Sequence, residues 1–356
     1  MSTAVGTAVE RLQAAAHTIP TDRPESYGTL EWDSTTIVVV EAHADGRVGL
    51  GYTYADGAAA ELVAGKLSEE IEGSDTFAVG AAYEAMGRAL RNVGRPGLAW
   101  CALSAVDLAL WDLKARLLDL PLARLLEGVR DEVPIYGSGG FCTYDPEEVA
   151  EQFGGWVADG IPRVKMKVGR DADADPARVA AARDAIGTDA ELYVDANGAY
   201  TRKEALAWAE RYAFEWGATW FEEPVSSADI EGLRLLRDRG PAGMDVAAGE
   251  YAYVERDFVN LLGAVDCLQA DVTRCGGITG FLRAGAVAAA HGLDLSAHCA
   301  PAASLVACTA VPRFRHLEWF HDHLRVEAQL FDGVPEPEGG ALRPNLSLPG
   351  NGLSLR

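Results

Sequence analysis

Short apolar runs and helical stretches alternate along most of this chain, and this alternation constrains its fold more than any other feature. The runs are rich in β-branched and aromatic residues, and Gly-, Pro- or Asn-rich loops usually follow them, which is typical of β-strands. Strands that alternate with helices predict a parallel sheet with crossover connections, and eight such strands predict a closed α/β barrel. The eight runs lie at 133–140, 163–169, 191–198, 219–225, 244–250, 267–274, 293–299 and 316–320.

Helical patterns fill most of the intervals between these runs. Several of them begin after Asp, Thr or Pro and end at Gly, which are the expected capping signals. The interval between Glu250 and Cys267 has the weakest helical pattern of the set. The predicted helices lie at 146–160, 176–187, 202–217, 230–240 and 280–292.

The first 130 residues have a different pattern. Residues 34–54 predict a β-hairpin with Asp45-Gly46 as its turn, and the Ala/Leu-rich stretch 57–127 predicts helices. A chain of 356 residues is also longer than one hydrophobic core usually fills. We therefore predict an α+β capping domain over 1–130 and a barrel over 131–334. We expect the Pro/Gly-rich segment 335–356 to return to the cap, with its final NGLSLR run pairing there.

Composition excludes several classes of function. The net charge of −22 argues against a nucleic-acid partner, which would require a basic face. No apolar run approaches membrane-spanning length and the first residues lack a signal pattern, so we expect no membrane partner and a cytoplasmic location. The six cysteines form no CxxC pair and are expected to be reduced and buried. Only Cys299, beside His298, is a candidate for a catalytic role.

Three carboxylates end neighbouring strands of the predicted barrel. Asp195, Glu222 and Glu250 close the third, fourth and fifth runs, so their side chains are expected to converge at one face. Burying three carboxylates together is very costly unless a cation balances them. A hard, oxygen-preferring ion fits this set, and Mg²⁺ fits it best. Glu223 is expected to point to the other side of its strand and is a weaker candidate.

Two lysines on the second predicted strand are candidate bases. Lys165 and Lys167 are separated by one residue, so both side chains point into the barrel mouth. Beside a cation and another lysine the charged ammonium is disfavoured, so one of them can be neutral near pH 7 and accept a proton. The alternative is a pair of structural counter-ions for the carboxylates.

Asp271 and His298 end the sixth and seventh predicted strands, which are neighbours in a barrel. A hydrogen bond between them would fix the imidazole tautomer and stabilise its protonated form, giving a positioned acid/base group. His316, His321 and His323 are expected to be mainly structural or rim residues. Arg274 and Asn197 are candidate supports for the site.

Several longer motifs occur in order along the chain: SAVDLALWDLKARLLDLPLARLLEG (104–128), VKMKVG, VDANGAY, WFEEPV, AAGE, DVTRCGGITG, SAHC and LPGNGLSL. In these motifs the chain resembles the enolase superfamily, and within it the mandelate racemase-like subgroup of the mandelate racemase/muconate-lactonizing enzyme family. It departs from the family at LLEG (125–128), where Leu-Leu-Gly-Gly is commoner, and this departure bears on domain packing.

The resemblance implies a modified TIM barrel of the (β/α)7β type with an α+β cap that the C-terminal segment completes. It also implies that Lys167 is the base, while Lys165 orients a substrate carboxylate oxygen and lowers the pKa of its partner. Glu318, on the eighth strand, would be protonated and hydrogen-bond the substrate carboxylate as it becomes an enolate. Homo-oligomers between dimers and octamers are typical of the family.

A metal ion with bases on opposite faces of a substrate fits the abstraction of a proton α to a carboxylate. The first hypothesis is a dehydratase that converts an acid sugar, an aldonate or aldarate, to a 2-keto-3-deoxy acid. The polar stretch 19–28 supports it, because it falls where the family's specificity loop closes over the pocket. Specificity would rest on this loop and on a second cap loop at 51–56. The candidate substrate contacts are Asp22, Arg23, Tyr27, Tyr54 and Asn197.

Two other hypotheses remain open. A racemase or epimerase of a 2-hydroxy acid would use the same residues, with reprotonation from the opposite face. Dipeptide epimerases and muconate cycloisomerases are less favoured, because their pattern has a lysine where this chain has Asp271. A non-catalytic, metal-binding barrel is the remote alternative, and it would not require two opposed bases.

Overall fold

The computed structural model describes residues 7–356, and its N-terminal part is a three-stranded antiparallel sheet covered by helices. The strands are β1 (Arg11–Ser26), β2 (Glu31–Ala44) and β3 (Arg47–Tyr54). The helices are α1 (Ala58–Leu62), α2 (Ser68–Ile71), α3 (Val79–Ala89), α4 (Trp100–Leu117) and α5 (Leu122–Leu125), with short π and 3₁₀ turns at Val63–Leu67, Leu90–Asn92 and Arg95–Ala99.

The predicted hairpin is confirmed as β2 and β3. Its two central residues, Asp45 and Gly46, have φ of 48° and 68°, as a type I′ turn requires. The long helix α4 packs directly on β3, and glycine makes this approach possible. A Cβ on Gly51 would lie 2.2 Å from Ala105 O and 2.5 Å from Ala109 N of that helix. Any larger residue at Gly51 would force the sheet and the helix apart.

Strand β1 was not predicted. It pairs with β2 over almost its whole length, and its register shifts between Pro20 and Glu25. The stretch 19–28, which we expected to be a loop, is therefore mainly an irregular strand with an insertion in it. The sequence pattern missed this strand because β1 is largely exposed and contains two prolines, so its alternation of apolar and polar residues is weak.

The rest of the chain forms a closed barrel of eight parallel strands, which confirms the predicted fold class. The strands occur in chain order around the barrel, and the last pairs with the first. Their bounds are β4 (Val133–Gly139), β5 (Arg163–Lys167), β6 (Glu191–Asp195), β7 (Ala218–Glu222), β8 (Asp245–Ala248), β9 (Cys267–Ala270), β10 (Asp294–Ala297) and β11 (Phe314–Phe320).

Each barrel strand except the last is followed by a helix that leads to the next strand, and α13 follows the last strand. The predicted helices are all present, and several start as their capping signals indicate. Asp145 and Thr201 each form a capping box, with Glu148 and Glu204 respectively. The bounds are α6 (Pro146–Ala158), α7 (Asp175–Ile186), α8 (Arg202–Trp216), α9 (Ile230–Arg239), α10 (Glu255–Leu261), α11 (Gly277–Ala290), α12 (Pro301–Ala310) and α13 (His321–Leu330).

The C-terminal segment behaves only partly as predicted. Its last strand, β14 (Ser354–Leu355), pairs with β12 (Phe331–Asp332) and not with the cap, while β13 (Ala341–Leu342) pairs with β4. Residues just before β14 do reach α4, since Asn351 N donates to Asp112 Oδ1 at 2.6 Å. No helix within residues 7–356 is long and apolar enough to cross a membrane.

Candidate active site

Three buried carboxylates meet at the C-terminal ends of neighbouring barrel strands. Asp195 ends β6, Glu222 ends β7, and Glu250 lies two residues beyond β8. One oxygen from each lies within 4.8 Å of the others. Gly249 has a φ of 137°, and a Cβ there would lie 2.2 Å from Gln269 O, so only glycine lets the chain turn before Glu250.

The electrostatics of these three carboxylates fit a cation. Burial, followed by the charge of Asp195, raises the pKa of Glu222 to about 8. Glu250 Oε2 is buried and makes no hydrogen bond, although His298 Nε2 lies 3.3 Å away. Three converging carboxylates form an oxygen-only donor set, which suits a hard divalent ion such as Mg²⁺.

Both lysines of the second barrel strand lie against this carboxylate cluster. Lys165 Nζ lies 2.6 Å from Glu222 Oε1 and 2.8 Å from Glu318 Oε1, and Lys167 Nζ lies 2.5 Å from Asp195 Oδ2. Burial alone would lower the pKa of Lys167, but Asp195, Glu318 and Glu222 together outweigh it and raise the pKa above its usual range. The neutral lysine that we expected is therefore absent from this arrangement, because the carboxylates bind the ammonium groups directly.

We expected the side chain of Glu223 to point to the other side of its strand, but the structure shows a different arrangement. Strand β7 ends at Glu222, and Glu223 follows with a φ of 37°, so the side-chain alternation of a strand no longer applies. Glu223 is buried, and its pKa is raised well above the usual range by burial and by the charges of Glu250 and Asp195. It is therefore a neighbour of the cluster, although it is outside the three-carboxylate set.

Asp271 and His298 form a hydrogen-bonded pair on adjacent strand ends. His298 Nδ1 lies 2.8 Å from Asp271 Oδ2, and an ionised carboxylate only accepts, so Nδ1 carries the proton. Asp271 Oδ1 accepts from both Thr273 N and Thr273 Oγ1 at 2.7 Å. Burial opposes the charge of Asp271, but His298 and Arg274 hold its pKa below the usual value. The pair leaves His298 Nε2 facing the cavity.

Glu318 lies in the same layer, but its protonation state differs from our expectation. Burial favours its neutral form, yet Lys165 and His298 hold its pKa well below the usual range. Cys299 N donates to Glu318 Oε2 at 3.0 Å, which also favours the carboxylate. In this arrangement Glu318 is therefore held as a carboxylate, whereas we expected it to be protonated, and the difference arises because Lys165 lies 2.8 Å from it.

A cavity of about 400 Å³ opens above these groups. Of the candidate substrate contacts, Tyr27, Tyr54 and Asn197 line it, together with Lys167, Glu250 and His298. Asp22 and Arg23 do not. Arg23 instead pairs with Glu148 and lies over the Tyr144 ring.

The sequence reasoning missed several residues that shape this site. Asp322 was not named, although it lines the cavity shortly after β11, where the rule of charges at strand ends could have found it; His323, which was expected to be a structural or rim residue, lines the cavity beside it. His323 stacks on Tyr54, with ring centroids 3.4 Å apart, and Ala300 N donates to its Nδ1. Trp32, Tyr251 and Phe320 line the walls, and no charge pattern marks them.

A buried arginine connects the loop that follows β4 to the end of β5. Arg178, on α7, donates to the carbonyl oxygens of Gly140 and Phe141 at 2.8 Å and of Lys167 at 3.1 Å. In sequence it looks like an ordinary polar position of a surface helix.

Cys299 lies 3.3 Å from His298 Nε2, but burial raises the pKa of its thiol well above the usual value, so it is not a thiolate.

The fold and this arrangement of strand-end charges define an enolase-type barrel, and the chain belongs to the mandelate racemase/muconate lactonizing enzyme family. Residues 13–127 match the "Mandelate racemase / muconate lactonizing enzyme, N-terminal domain", and residues 148–356 match the "Enolase C-terminal domain-like" family. The resemblance inferred from the motifs is thereby confirmed.

The chain is similar to L-talarate/galactarate dehydratase from Salmonella typhimurium, at 34% identity over 310 residues, which cover 83% of this chain and 77% of that protein. The crystal structure of that enzyme liganded with Mg and L-lyxarohydroxamate superposes with a TM-score of 0.90 at 30% identity, covering 100% of this chain and 93% of that one. A racemase from Streptomyces coelicolor A3(2) with bound magnesium gives 0.91 at 30% identity, covering 98% and 97%.

A mandelate racemase/muconate lactonizing enzyme-like protein from Rubrobacter xylanophilus is more similar in sequence. Its crystal structure gives a TM-score of 0.97 at 59% identity and covers 98% of this chain and 97% of that one. The similarity extends over nearly the full length of both chains, so it includes the cap as well as the barrel.

Proposed function

We propose that this protein is a Mg²⁺-dependent acid-sugar dehydratase. It removes the proton α to a carboxylate and expels the β-hydroxyl as water, and the resulting enol becomes a 2-keto-3-deoxy acid. One observation carries the proposal: Glu250, Lys167 and His298 line one cavity, and the other two metal-type carboxylates and Asp271 lie directly against them. The names of the similar dehydratases support the same chemistry.

Asp195, Glu222 and Glu250 would hold the metal ion. Bound Mg²⁺ supplies positive charge that lowers the pKa of the α-proton of a nearby carboxylate. Asp195 now lies 2.5 Å from Lys167 Nζ, and a cation held by Asp195 would compete with the ammonium for that carboxylate. With its counter-ion engaged and a cation close by, Lys167 would have a lower pKa and could act as a base.

Lys167 and His298 act on opposite sides of the substrate. Their strands, β5 and β10, are separated by β4 and β11 on one side of the barrel and by four strands on the other. One of the two groups takes the α-proton, and the other gives a proton to the departing hydroxyl. Asp271 keeps the proton of His298 on Nδ1, so that Nε2 exchanges protons with the substrate.

Lys165 and Glu318 position the substrate carboxylate. They lie 2.8 Å apart at the base of the site and are both fully buried. A substrate oxygen near Lys165 gains a charge-assisted hydrogen bond that strengthens as negative charge grows on it. Asn197, whose backbone N donates to Asp195 Oδ1, lines the cavity beside them and presents its amide to the substrate.

Racemisation or epimerisation of a 2-hydroxy acid is the second candidate. The observation that favours it is the same pair of opposed groups, since a proton removed by Lys167 can be replaced from the side of His298. The similarity to a magnesium-bound racemase from Streptomyces coelicolor A3(2) supports it as well. The presence of both groups argues against a non-catalytic, metal-binding barrel.

Proton NMR in D₂O separates these functions. The Mg²⁺-loaded enzyme is incubated with a panel of acid sugars and 2-hydroxy acids. A new 2-keto-3-deoxy product is expected and establishes dehydration. Deuterium at the α-carbon without a new product instead establishes racemisation or epimerisation. Neither signal from any compound would contradict the proposal and leave the metal-binding barrel.

We also propose a cytoplasmic homo-oligomer, between a dimer and an octamer, with a cap over 1–130 and a barrel over 131–334. The family resemblance supports the assembly. The six free thiols, five of them buried, are consistent with a reducing compartment. Size-exclusion chromatography with light scattering would measure the assembly directly.

A further inference from the structure

The cavity has a reactive end and a distal end with different chemistry. The reactive end is the floor formed by Lys167, Asn197, Glu250 and His298. The distal end is formed by the cap strand β2 and by the start of α13. Its lining residues are Trp32, Ser34, Thr35, Thr36, Asp56 and Asp322. A substrate whose carboxylate lies at the floor extends its far terminus toward this second set.

The cationic side chains that line the described cavity are both at the reactive end. They are Lys167 and Arg274, and each already has carboxylate partners. Lys167 lies 2.5 Å from Asp195, and Arg274 lies 3.3 Å from Glu250 and 3.4 Å from Asp271. Neither the Arg274 guanidinium nor the Lys167 ammonium is therefore available to bind a second substrate carboxylate at the distal end.

The charged side chains at the distal end are acidic. Asp322 is buried and Asp56 is exposed, and both line the cavity. The nearby cation, Arg325, does not line the cavity, and it donates to Asp322 Oδ1 at 2.6 Å and to Pro20 O at 2.7 Å. His323 accepts a hydrogen bond from Ala300 N at its Nδ1, so it is neutral.

Glu25 is a buried carboxyl group next to this region. It lies behind the distal wall, where Trp32 Nε1 donates to its Oε2 at 3.1 Å. Burial and then the charge of Asp322 raise the pKa of Glu25 to about 8. The part of this shift that comes from Asp322 is repulsion between two carboxylates, and a substrate carboxylate beside Asp322 would meet the same repulsion.

The remaining distal groups suit a neutral, hydroxylated terminus. Ser34, Thr35 and Thr36 offer hydroxyl groups along one strand, and Thr35 already hydrogen-bonds Asp322. A carboxylate such as Asp322 accepts hydrogen bonds from sugar hydroxyls, which donate. Trp32 and Tyr27, with ring centroids 5.1 Å apart, present apolar faces against which sugar C–H groups pack.

We infer that the substrate is a monocarboxylic acid sugar, an aldonate with an uncharged terminus, and not a dicarboxylic aldarate. The inference rests on the proposed dehydratase function and assigns discrimination to the acidic distal end, chiefly Asp322. An aldarate would bury its second carboxylate beside Asp322 without a free cation, which is strongly unfavourable.

Matched substrate pairs test this inference. An aldonate and the aldarate of the same configuration differ only at C6, which is a hydroxymethyl group in one and a carboxylate in the other. With the Mg²⁺-loaded enzyme, kcat/KM for 2-keto acid formation is measured for gluconate and glucarate, galactonate and galactarate, and the remaining configurations. The reactive aldonate is expected to exceed its partner by at least about tenfold, because like charges at close range in a partly buried site repel strongly.

The possible outcomes separate this inference from the function on which it rests. An aldarate that reacts as well as or better than its aldonate overturns the inference and leaves the dehydratase function in place. An absence of reaction and of deuterium exchange with every pair overturns both.

Variants test whether the distal charges are the cause. Asp322→Asn should raise the ratio of aldarate to aldonate activity by about tenfold, because it removes the repelling charge and leaves Arg325 free. Asp56→Asn, at an exposed position, should shift the ratio in the same direction, and it provides the test if Asp322→Asn does not fold. Glu41→Gln is the matched control, since Glu41 lies on the same strand β2 but does not line the cavity. An unchanged ratio in the folded distal variants would overturn the assignment to these charges.

Discussion

Replacing Asp271 by Asn changes the chemistry of one atom and keeps the shape of the side chain. Asp271 Oδ1 accepts from Thr273 N and Thr273 Oγ1, both at 2.7 Å. An Asn keeps both bonds only if its carbonyl oxygen replaces Oδ1, which turns its NH₂ group toward His298 Nδ1. Nδ1 must then accept, so the imidazole carries its proton on Nε2 and can no longer take one from the substrate.

The size of the effect follows from these contacts. Two hydrogen bonds of about 1 kcal/mol each favour the inactive tautomer by roughly 30-fold. Loss of the carboxylate also removes a charge-assisted bond to His298, worth about 1.5–3 kcal/mol, or roughly 10- to 100-fold more. Together they predict a fall in kcat/KM of about 300- to 3000-fold for Asp271→Asn.

The assay compares kcat/KM for 2-keto acid formation in Asp271→Asn, His298→Asn and the double variant. The double variant should be little slower than His298→Asn, because residues that act as a unit give non-additive losses. Thr273→Ser is the control, since it keeps both donors and should retain most activity. A loss below about tenfold in Asp271→Asn, or additive losses in the double variant, would refute this reasoning.

Three further predictions concern the metal, the lysine base and stability. EDTA should abolish activity and Mg²⁺ restore it, and calorimetry should show that Glu222→Gln loses most of its Mg²⁺ affinity while Glu223→Gln loses much less, because only Glu222 belongs to the carboxylate set. Lys167→Ala should lower kcat by about 10²–10⁴ in the same NMR assay, as loss of a general base does. Glu327→Gln should flatten the fall in stability with pH measured by urea unfolding. Burial raises the pKa of Glu327 from 4.5 to about 8, so the folded state binds its proton more tightly and stability falls as pH rises through this range, by on the order of a few kcal/mol.

A reversed order of Glu222 and Glu223 would show that the ligand within this pair is wrongly assigned. Lys167→Ala with more than a tenth of normal turnover would remove that lysine from the mechanism. Glu336→Gln, at an exposed position, should keep the pH dependence of the unchanged protein. Equal slopes for Glu327→Gln and the unchanged protein would contradict the role assigned to its burial.

The charged floor of the site was largely predictable from sequence. Parallel strands of a barrel end at one face, so counting strands was enough to bring Asp195, Glu222 and Glu250 together. The same rule placed Asp271 beside His298. These placements depend only on topology, which the alternation of strands and helices specifies.

The protonation states and the upper cavity were less predictable. Lys165 lies between Glu222 and Glu318, and only the three-dimensional arrangement shows which charges become direct partners. Strand β1 gave a weak pattern because a largely exposed edge strand needs little alternation. Arg178 was missed because nothing in the sequence of a helix shows which polar residue faces inward to bind carbonyl oxygens.

The contact between α4 and the C-terminal segment has a consequence for biosynthesis. Asp112 of the cap accepts from Leu50 N and also from Asn351 N, a partner 239 positions further along the chain. During synthesis, the cap residues up to about 130 therefore leave the ribosome long before Asn351, a partner of Asp112 on α4, has been added to the chain. This contact between the cap and the C-terminal segment can form only after the barrel has been synthesised, so the packing of the cap is completed together with that of the barrel. A ribosome that stalls anywhere before residue 351 leaves this buried carboxylate without one of its donors, whatever else has already folded.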